Sequence, residues 1–248
     1  MTTAAAIIIG DELLSGKFRD ENTPLLIDLM VDLGVDLQRI VVIGDDCPTI
    51  SAEVAACSER YDVVMTSGGV GPTHDDCTVR GVAAAFGLGV VVHPELEAMI
   101  RGFWKERFTD AALRMAEVPE GSRLLGGGDG LLPLVVCRNV YLFPGVPRLF
   151  AAKLPSLRRE LKGTVKVLSG LYLRSDESRI APLLNTVVAE YSDVKIGSYP
   201  RFGESDFRLW ISLEGVDGAH VSAALDRLLE LLPPEDVVRI DRDNEERR

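Results

Sequence analysis

Apolar and polar positions along the first half of the chain fall into blocks whose period keeps changing. Ala4–Ile9 is a short, wholly apolar run, which suits a strand buried on both faces of a parallel sheet. Thr23-Pro24 then opens a helix, with Thr as the cap and Pro at the first helical position. Its apolar face is Leu25, Leu26, Leu29, Met30 and Leu33, and Gly34 stops it. Leu37–Ile43 reads as the next strand, and Pro48 opens a helix with Ile50, Val54 and Cys57 on one side. Asp62–Thr66 reads as a third strand that runs into the glycine-rich stretch Ser67-Gly68-Gly69-Val70-Gly71-Pro72-Thr73. A helix follows from Thr78 to Phe86, then a short strand, Gly89–Val92. Pro94 starts a helix bearing Leu96, Met99, Ile100, Phe103 and Trp104, and Thr109 caps another short one.

This strand–helix alternation predicts a doubly wound α/β sheet with right-handed crossovers, in which ligands bind outside the carboxyl ends of the strands. Three polar or Gly-rich loops follow strands: Gly10–Asn22, Gly44–Asp46 and Ser67–Thr78. They are expected to converge on one edge. From Ser122 to Phe143 Gly-rich turns separate short apolar runs, which read as β-hairpins, and Pro144-Gly145-Val146-Pro147 turns into a helix at Arg148–Leu161. After Gly163 come a strand (Val165–Leu173), a helix (Glu177–Tyr191), two strands (Val194–Tyr199, Phe207–Leu213), a helix (Ala219–Leu232) and a last strand (Val237–Ile240). That β-α-β-β-α-β order is ferredoxin-like. The expected domains are 1–162 and 163–240, with a charged tail at 241–248.

Composition narrows the partners. The 248 residues carry 38 Asp and Glu against 27 Lys and Arg, a net charge of −11, which disfavours nucleic acid and anionic membrane surfaces. No stretch approaches the roughly 18 apolar residues that span a bilayer. No basic residue precedes the apolar run at Met1–Gly10, so it does not read as a signal peptide. Cys47, Cys57, Cys77 and Cys137 form no C-x-x-C pair and read as reduced core thiols in a cytoplasmic protein.

The Ser67–Thr78 loop is the strongest chemical signal. Glycines let the backbone approach a ligand, and a strand–turn–helix presents N–H groups to a phosphate. It is not a P-loop, because no Lys follows the glycines, and not a dinucleotide fingerprint, because Pro72 and His74 break that pattern. Asp75 and Asp76 beside it would repel a bare phosphate. They fit a divalent cation, or a ligand's N–H and O–H groups; the plainer alternative is that one caps the helix at Thr78 and the other is solvated. Gly10, Asp11, Glu12, Ser15 and Asn22 follow the first strand, and Asp45 and Asp46 the second, with Asn22 or Thr23 and Asp46 also able to serve as caps. His74 reads as solvated, His93 and His220 as structural, and Phe103 and Trp104 as helix packing.

Ile9-Gly10-Asp11-Glu12-Leu13-Leu14-Ser15-Gly16, Asp20-Glu21-Asn22, Val42-Ile43-Gly44-Asp45 and Thr66 through Thr78, in this order and spacing, resemble the molybdopterin-binding domain. That domain occurs in molybdopterin adenylyltransferases, in competence/damage-inducible protein A and at the N-terminus of eukaryotic FAD synthases. Tyr141–Pro147 looks like the family's Pro-Gly-x-Pro turn, and Ile196-Gly197-Ser198-Tyr199-Pro200 looks most like the competence-protein and FAD-synthase branch. The resemblance implies a three-layer α/β/α sandwich with a mostly parallel sheet, usually oligomeric, so a homodimer or homotrimer is expected. It places functional positions on Asp11, Asn22, Asp45, Ser67, Gly68, Gly69, Val70, Gly71, Pro72, Thr73, Asp76, Thr78, Pro144, Gly145, Val146 and Pro147, with the positions matching Asp45 and Asp76 the important acids in the adenylyltransferases.

The implied ligand is a phosphate-bearing small molecule, molybdopterin or a nucleotide. The implied activity is metal-dependent hydrolysis of ADP-ribose-type pyrophosphates, with magnesium or cobalt held by Asp45, Asp75 and Asp76. Molybdopterin binding or adenylylation, or a non-catalytic nucleotide-binding module, are the alternatives. Gly126–Pro133 replaces the family's Asn-Pro…Ala-Pro-Gly stretch. On this reading Asp76→Asn keeps the fold, cuts metal-dependent turnover by orders of magnitude, and leaves metal-free nucleotide affinity level or improved.

Overall fold

The computed structural model describes residues 1–128, 131–203 and 206–242. The chain divides into two units, Met1–Gly163 and Thr164–Arg248. The first runs β1 (Thr3–Ile9), α1 (Asp11–Leu14), α2 (Asn22–Leu33), β2 (Asp36–Ile43), α3 (Cys47–Arg60), β3 (Val63–Ser67), α4 (Thr78–Ala85), β4 (Val90–Val92), α5 (Pro94–Trp104), α6 (Asp110–Leu113), β5 (Glu117–Pro119), β6 (Arg123–Leu125), β7 (Leu134–Cys137), β8 (Val140–Phe143) and α7 (Pro147–Glu160).

Among the described residues its main sheet has six strands in the order β2-β1-β3-β8-β7-β6. β2, β1, β3 and β8 are parallel; β7 runs antiparallel to its two neighbours, β8 and β6. The period-two geometry of β1 explains the layers. Ala4, Ala6 and Ile8 pack with Leu26, Leu29 and Met30 of α2 and Phe150 and Leu157 of α7. Ala5, Ile7 and Ile9 pack on the other face with Ile50, Val54 and Cys57 of α3 and Val82 of α4. The result is a three-layer α/β/α sandwich. β1 is wholly apolar because both its faces are core.

Three local expectations change. Val90–Val92 leaves the main sheet and pairs antiparallel with β5, over a small core of Leu96, Ile100, Ala112, Ala116 and Val118. The β7–β8 hairpin turns at Arg138, whose φ is 53°, and β8 then joins the parallel strands through its register with β3. Thr23 does not cap α2. Asp20 Oδ1 accepts from the N–H groups of Asn22 (2.9 Å) and Thr23 (3.0 Å), which frees the Asn22 side chain to turn inward. Asp46 does cap α3, accepting from Thr49 N at 2.9 Å.

The second unit runs β9 (Val167–Leu173), α8 (Glu177–Glu190), β10 (Lys195–Pro200), β11 (Leu209–Gly215), α9 (Gly218–Leu231) and β12 (Val237–Asp241). Its antiparallel sheet has the order β10-β11-β9-β12, which is the ferredoxin-like topology. Leu171, Leu173, Leu209, Ile211 and Leu213 face Ile180, Val187, Leu225 and Leu228 of the two helices. Among the described residues no helix is long and apolar enough to cross a membrane. Most of the expected tail, residues 243–248, lies outside the described residues, as do Asp129 and Gly130.

Candidate ligand-binding site

Four parallel strands that end on one edge bring their following loops together there. β1 leads to α1 and α2, β3 to α4, and β8 to α7, so these helices present their N-termini, each with a partial positive charge, to the same edge. A cleft of about 1240 Å³ opens there, lined by Glu12, Asn22, Ser67–Pro72, Asp75, Asp76, Pro144, Gly145 and Pro147 among others.

The glycine loop has a conformation that side chains would forbid. Gly68 has φ 110° and Gly69 φ 63°. A Cβ on Gly68 would lie 2.1 Å from the carbonyl oxygen of Ile9, and one on Gly69 would lie 2.4 Å from Thr78 Oγ1. Thr78 is buried behind the loop and ties it down, its Oγ1 donating to Gly68 O (2.8 Å) and its N–H to Gly69 O (2.9 Å). Among the described residues, the N–H groups of Gly69 and Val70 have no acceptor, and both residues line the cleft. Asn22 stitches the three loops together. Its Nδ2 donates to Ser67 Oγ (3.0 Å) and to Gly145 O (2.8 Å), while its buried Oδ1 has no partner among the described residues.

The acids separate into different roles. Asp45 Oδ2 accepts from the Asp11 N–H at 2.9 Å, and its other oxygen sits beside Gly69. Burial raises the Asp45 carboxyl above its ordinary range. The Asp11 N–H opposes that shift, and the carboxylates of Glu12, Asp11 and Asp75 add to it. Asp76 caps nothing: α4 has no side-chain cap. Its carboxylate reaches back to accept from Gly71 N (2.8 Å), Thr73 N (2.8 Å) and Thr73 Oγ1. Asp75 is exposed on the rim beside His74. Among the described residues no group of three or more His, Cys, Asp or Glu is placed to hold a metal ion, so Asp45, Asp75 and Asp76 do not form the expected cage. Gly10, Asp11, Asp45, Thr73 and Thr78 are not among the residues that line the cleft, and Ser15 turns away to donate to Glu12 O at 3.3 Å.

The Asp76 geometry reverses one expectation. Asn at this position keeps one acceptor oxygen but turns an NH₂ toward N–H donors, so part of the Gly71–Thr73 loop loses its acceptor. Asp76→Asn should therefore weaken ligand binding about tenfold, or about 1.4 kcal/mol, rather than leave it level. Amide exchange at Gly71 and Thr73 should speed up in the same variant. Exchange rates there that match the parent's would show that the carboxylate does not hold the loop.

Several residues of the site carry no motif. Arg114 clamps the loop from outside, donating to Thr73 O (2.7 Å), Pro72 O (3.2 Å) and Asp76 O (3.4 Å). Its only signal in sequence is a cation among Ala111, Ala112, Leu113 and Met115. Phe103 and Trp104 line the cleft with Met99 and Leu149; Trp104 also packs on the core of Leu96, Ile100, Ala112, Ala116 and Val118, as expected of helix packing, while Phe103 is 65% exposed. Lys153, from the middle of α7, lines it as well.

The fold and loops have counterparts among known proteins. A family described as "Probable molybdopterin binding domain" matches residues 5–167, and one described as "FAD synthase, middle domain" matches residues 167–241. A "Probable FAD synthase" of Caenorhabditis elegans is 33% identical, over 93% of this chain and 50% of its own length. A protein of Archaeoglobus fulgidus is 30% identical over 91% of this chain and 96% of its own. A "CinA-like protein" of Myxococcus xanthus is 38% identical over 58% of this chain and 36% of its own. The solved structure of CinA from Thermoplasma acidophilum, described as of unknown function, aligns with a TM-score of 0.59 at 30% identity, covering 65% of this chain and 99% of that one. The chain spans about half the length of the curated FAD synthases it matches. The family match covers the sheet, the glycine loop and the cleft together, and this chain belongs to the molybdopterin-binding domain family.

Proposed function

We propose that the cleft binds a phosphate-bearing heteroaromatic molecule, a nucleotide or a pterin. One observation carries this reading: among the described residues, Gly69 and Val70, whose N–H groups have no acceptor, line one cleft with the apolar Met99, Phe103, Trp104 and Leu149. The first arrangement suits phosphate and the second suits a ring. The buried Asn22 Oδ1 supports it further, because a ligand N–H or O–H is the kind of donor it lacks.

The finer reading is hydrolysis of an ADP-ribose-type pyrophosphate, in which water adds across the P–O–P bridge to give AMP and ribose 5-phosphate. Glu12, Asp75 and Asp76 are carboxylates that line the cleft, while Asp45, beside Gly69 and held by the Asp11 N–H, stands behind the glycine loop. The residues do not form a metal cage, so no step is built on a metal. Purified protein should be titrated with ADP-ribose, FAD and ATP, with and without magnesium or cobalt, following heat and product together. Binding of at least one nucleotide is the expected result. Turnover of ADP-ribose would establish the hydrolase, and binding without turnover would establish a binding module. A pterin that copurifies and fluoresces would favour the molybdopterin reading. Failure to bind any of them, with no copurified pterin, would overturn the proposal.

A further inference from the structure

Lys153 is a cation held at the cleft. It lines the cavity, and its Nζ donates to Leu132 O (2.6 Å) and Pro133 O (2.9 Å). An ammonium has three N–H donors, so one remains. Among the described residues no carboxylate pairs with it, and burial alone pushes its pKa down to about 8. A charge kept in an apolar wall costs free energy unless a partner compensates it, and two neutral carbonyls compensate it only in part. A neutral donor could pin those carbonyls at a smaller desolvation cost, so loop-pinning does not account for a lysine. Lys153 also lies six residues into α7 from Pro147, about 9 Å along the helix axis from the end beside the glycine loop. It is therefore a second positive centre, separate from the first.

We propose that Lys153 receives a second anionic group of the ligand, so the cleft prefers molecules with two separated phosphates over those with one. This rests on the reading that the cleft binds a phosphate-bearing ring. The first phosphate sits at the glycine loop, the ring lies along the Phe103 wall, and the second phosphate takes the remaining N–H of Lys153.

The test uses the full chain with adenosine, AMP and adenosine 2′,5′- and 3′,5′-bisphosphates as probes. The parent should bind one of the bisphosphates at least tenfold more tightly than AMP. Lys153→Gln keeps a neutral donor for the carbonyls but removes the charge. It should abolish that tenfold preference while leaving AMP affinity within about twofold, and Lys153→Arg should retain most of it. A parent that binds AMP and both bisphosphates equally would overturn the proposal and leave the phosphate-site reading standing. So would a Lys153→Gln protein that weakens AMP and bisphosphate alike, since that is the signature of a loop support. A parent that binds none of the probes would overturn the underlying reading and this proposal with it.

Discussion

Gly68→Ala should destabilise the first unit by about 3–5 kcal/mol and abolish ligand binding. The new Cβ would lie 2.1 Å from the carbonyl oxygen of Ile9, at a φ of 110° that L side chains rarely adopt. Backbone strain of this kind costs of order 1–3 kcal/mol by itself. The clash adds to it because the obstacle is backbone in the central strand β1, which cannot rotate aside as a side chain could. Gly145 closes the other side, since a Cβ on it would lie 3.3 Å from Gly68 Cα. To admit a methyl group, the ends of β1, β3 and β8 must separate, and these carry the loops of the cleft.

Gly87→Ala is the control. Gly87 also has positive φ (65°), but a Cβ there meets nothing within 4 Å. It should cost only about 1 kcal/mol, the backbone term. Thermal unfolding separates the two: a loss of roughly 10 °C is expected for Gly68→Ala and of a few degrees for Gly87→Ala. Equal losses would show that the close approach at Ile9 contributes nothing.

Asn22→Asp should be the most damaging polar change at the site. Asn22 is 5% exposed, and its Nδ2 serves two acceptors, Ser67 Oγ and Gly145 O. An ionised carboxylate supplies no proton to the Gly145 carbonyl and turns a negative charge on it. The unsatisfied carbonyl and the buried charge together should cost about 2–4 kcal/mol. Ligand affinity should fall at least a hundredfold, because Ser67 and Gly145, which line the cleft, lose the bond that ties them together.

The loss should depend on pH. A carboxyl buried against a carbonyl is favoured in its protonated form, so its folded pKa lies above its unfolded one. The folded state then binds more protons, and stability falls as pH rises through that interval. Asn22→Asp should therefore approach the parent's stability near pH 4 and fall furthest behind it at pH 8. Asn22→Leu lacks the same donor but cannot titrate, so its deficit should not vary with pH. Parallel pH profiles for the two variants would refute the assignment of the Gly145 bond to Asn22.

The apolar run Ala4–Ile9, the Pro-opened helices and the Ser67–Thr73 glycines sufficed to establish a parallel α/β sheet and a ligand edge at its strand ends. Those features are local: a period, a cap and a backbone conformation are each set within a few residues. The β-α-β-β-α-β order of the second unit was legible for the same reason. Position in the sheet was not. β8 is four residues of a hairpin, and only its register with β3 makes it the fourth parallel strand and carries Pro144–Pro147 to the cleft.

Side-chain partners were equally hidden. Asn22 looked like a cap until Asp20 took that role. Asp76 looked free to face a ligand until its carboxylate closed on Gly71 and Thr73. Lys153 and Arg114 belong to no motif, because what defines them is the set of carbonyls they meet across the fold. The sequence by itself determined the secondary structure, the family and the loops that form the site. Only the tertiary structure decided which groups in those loops remain available to a ligand, because neighbours within a loop and partners from across the fold compete for the same atoms.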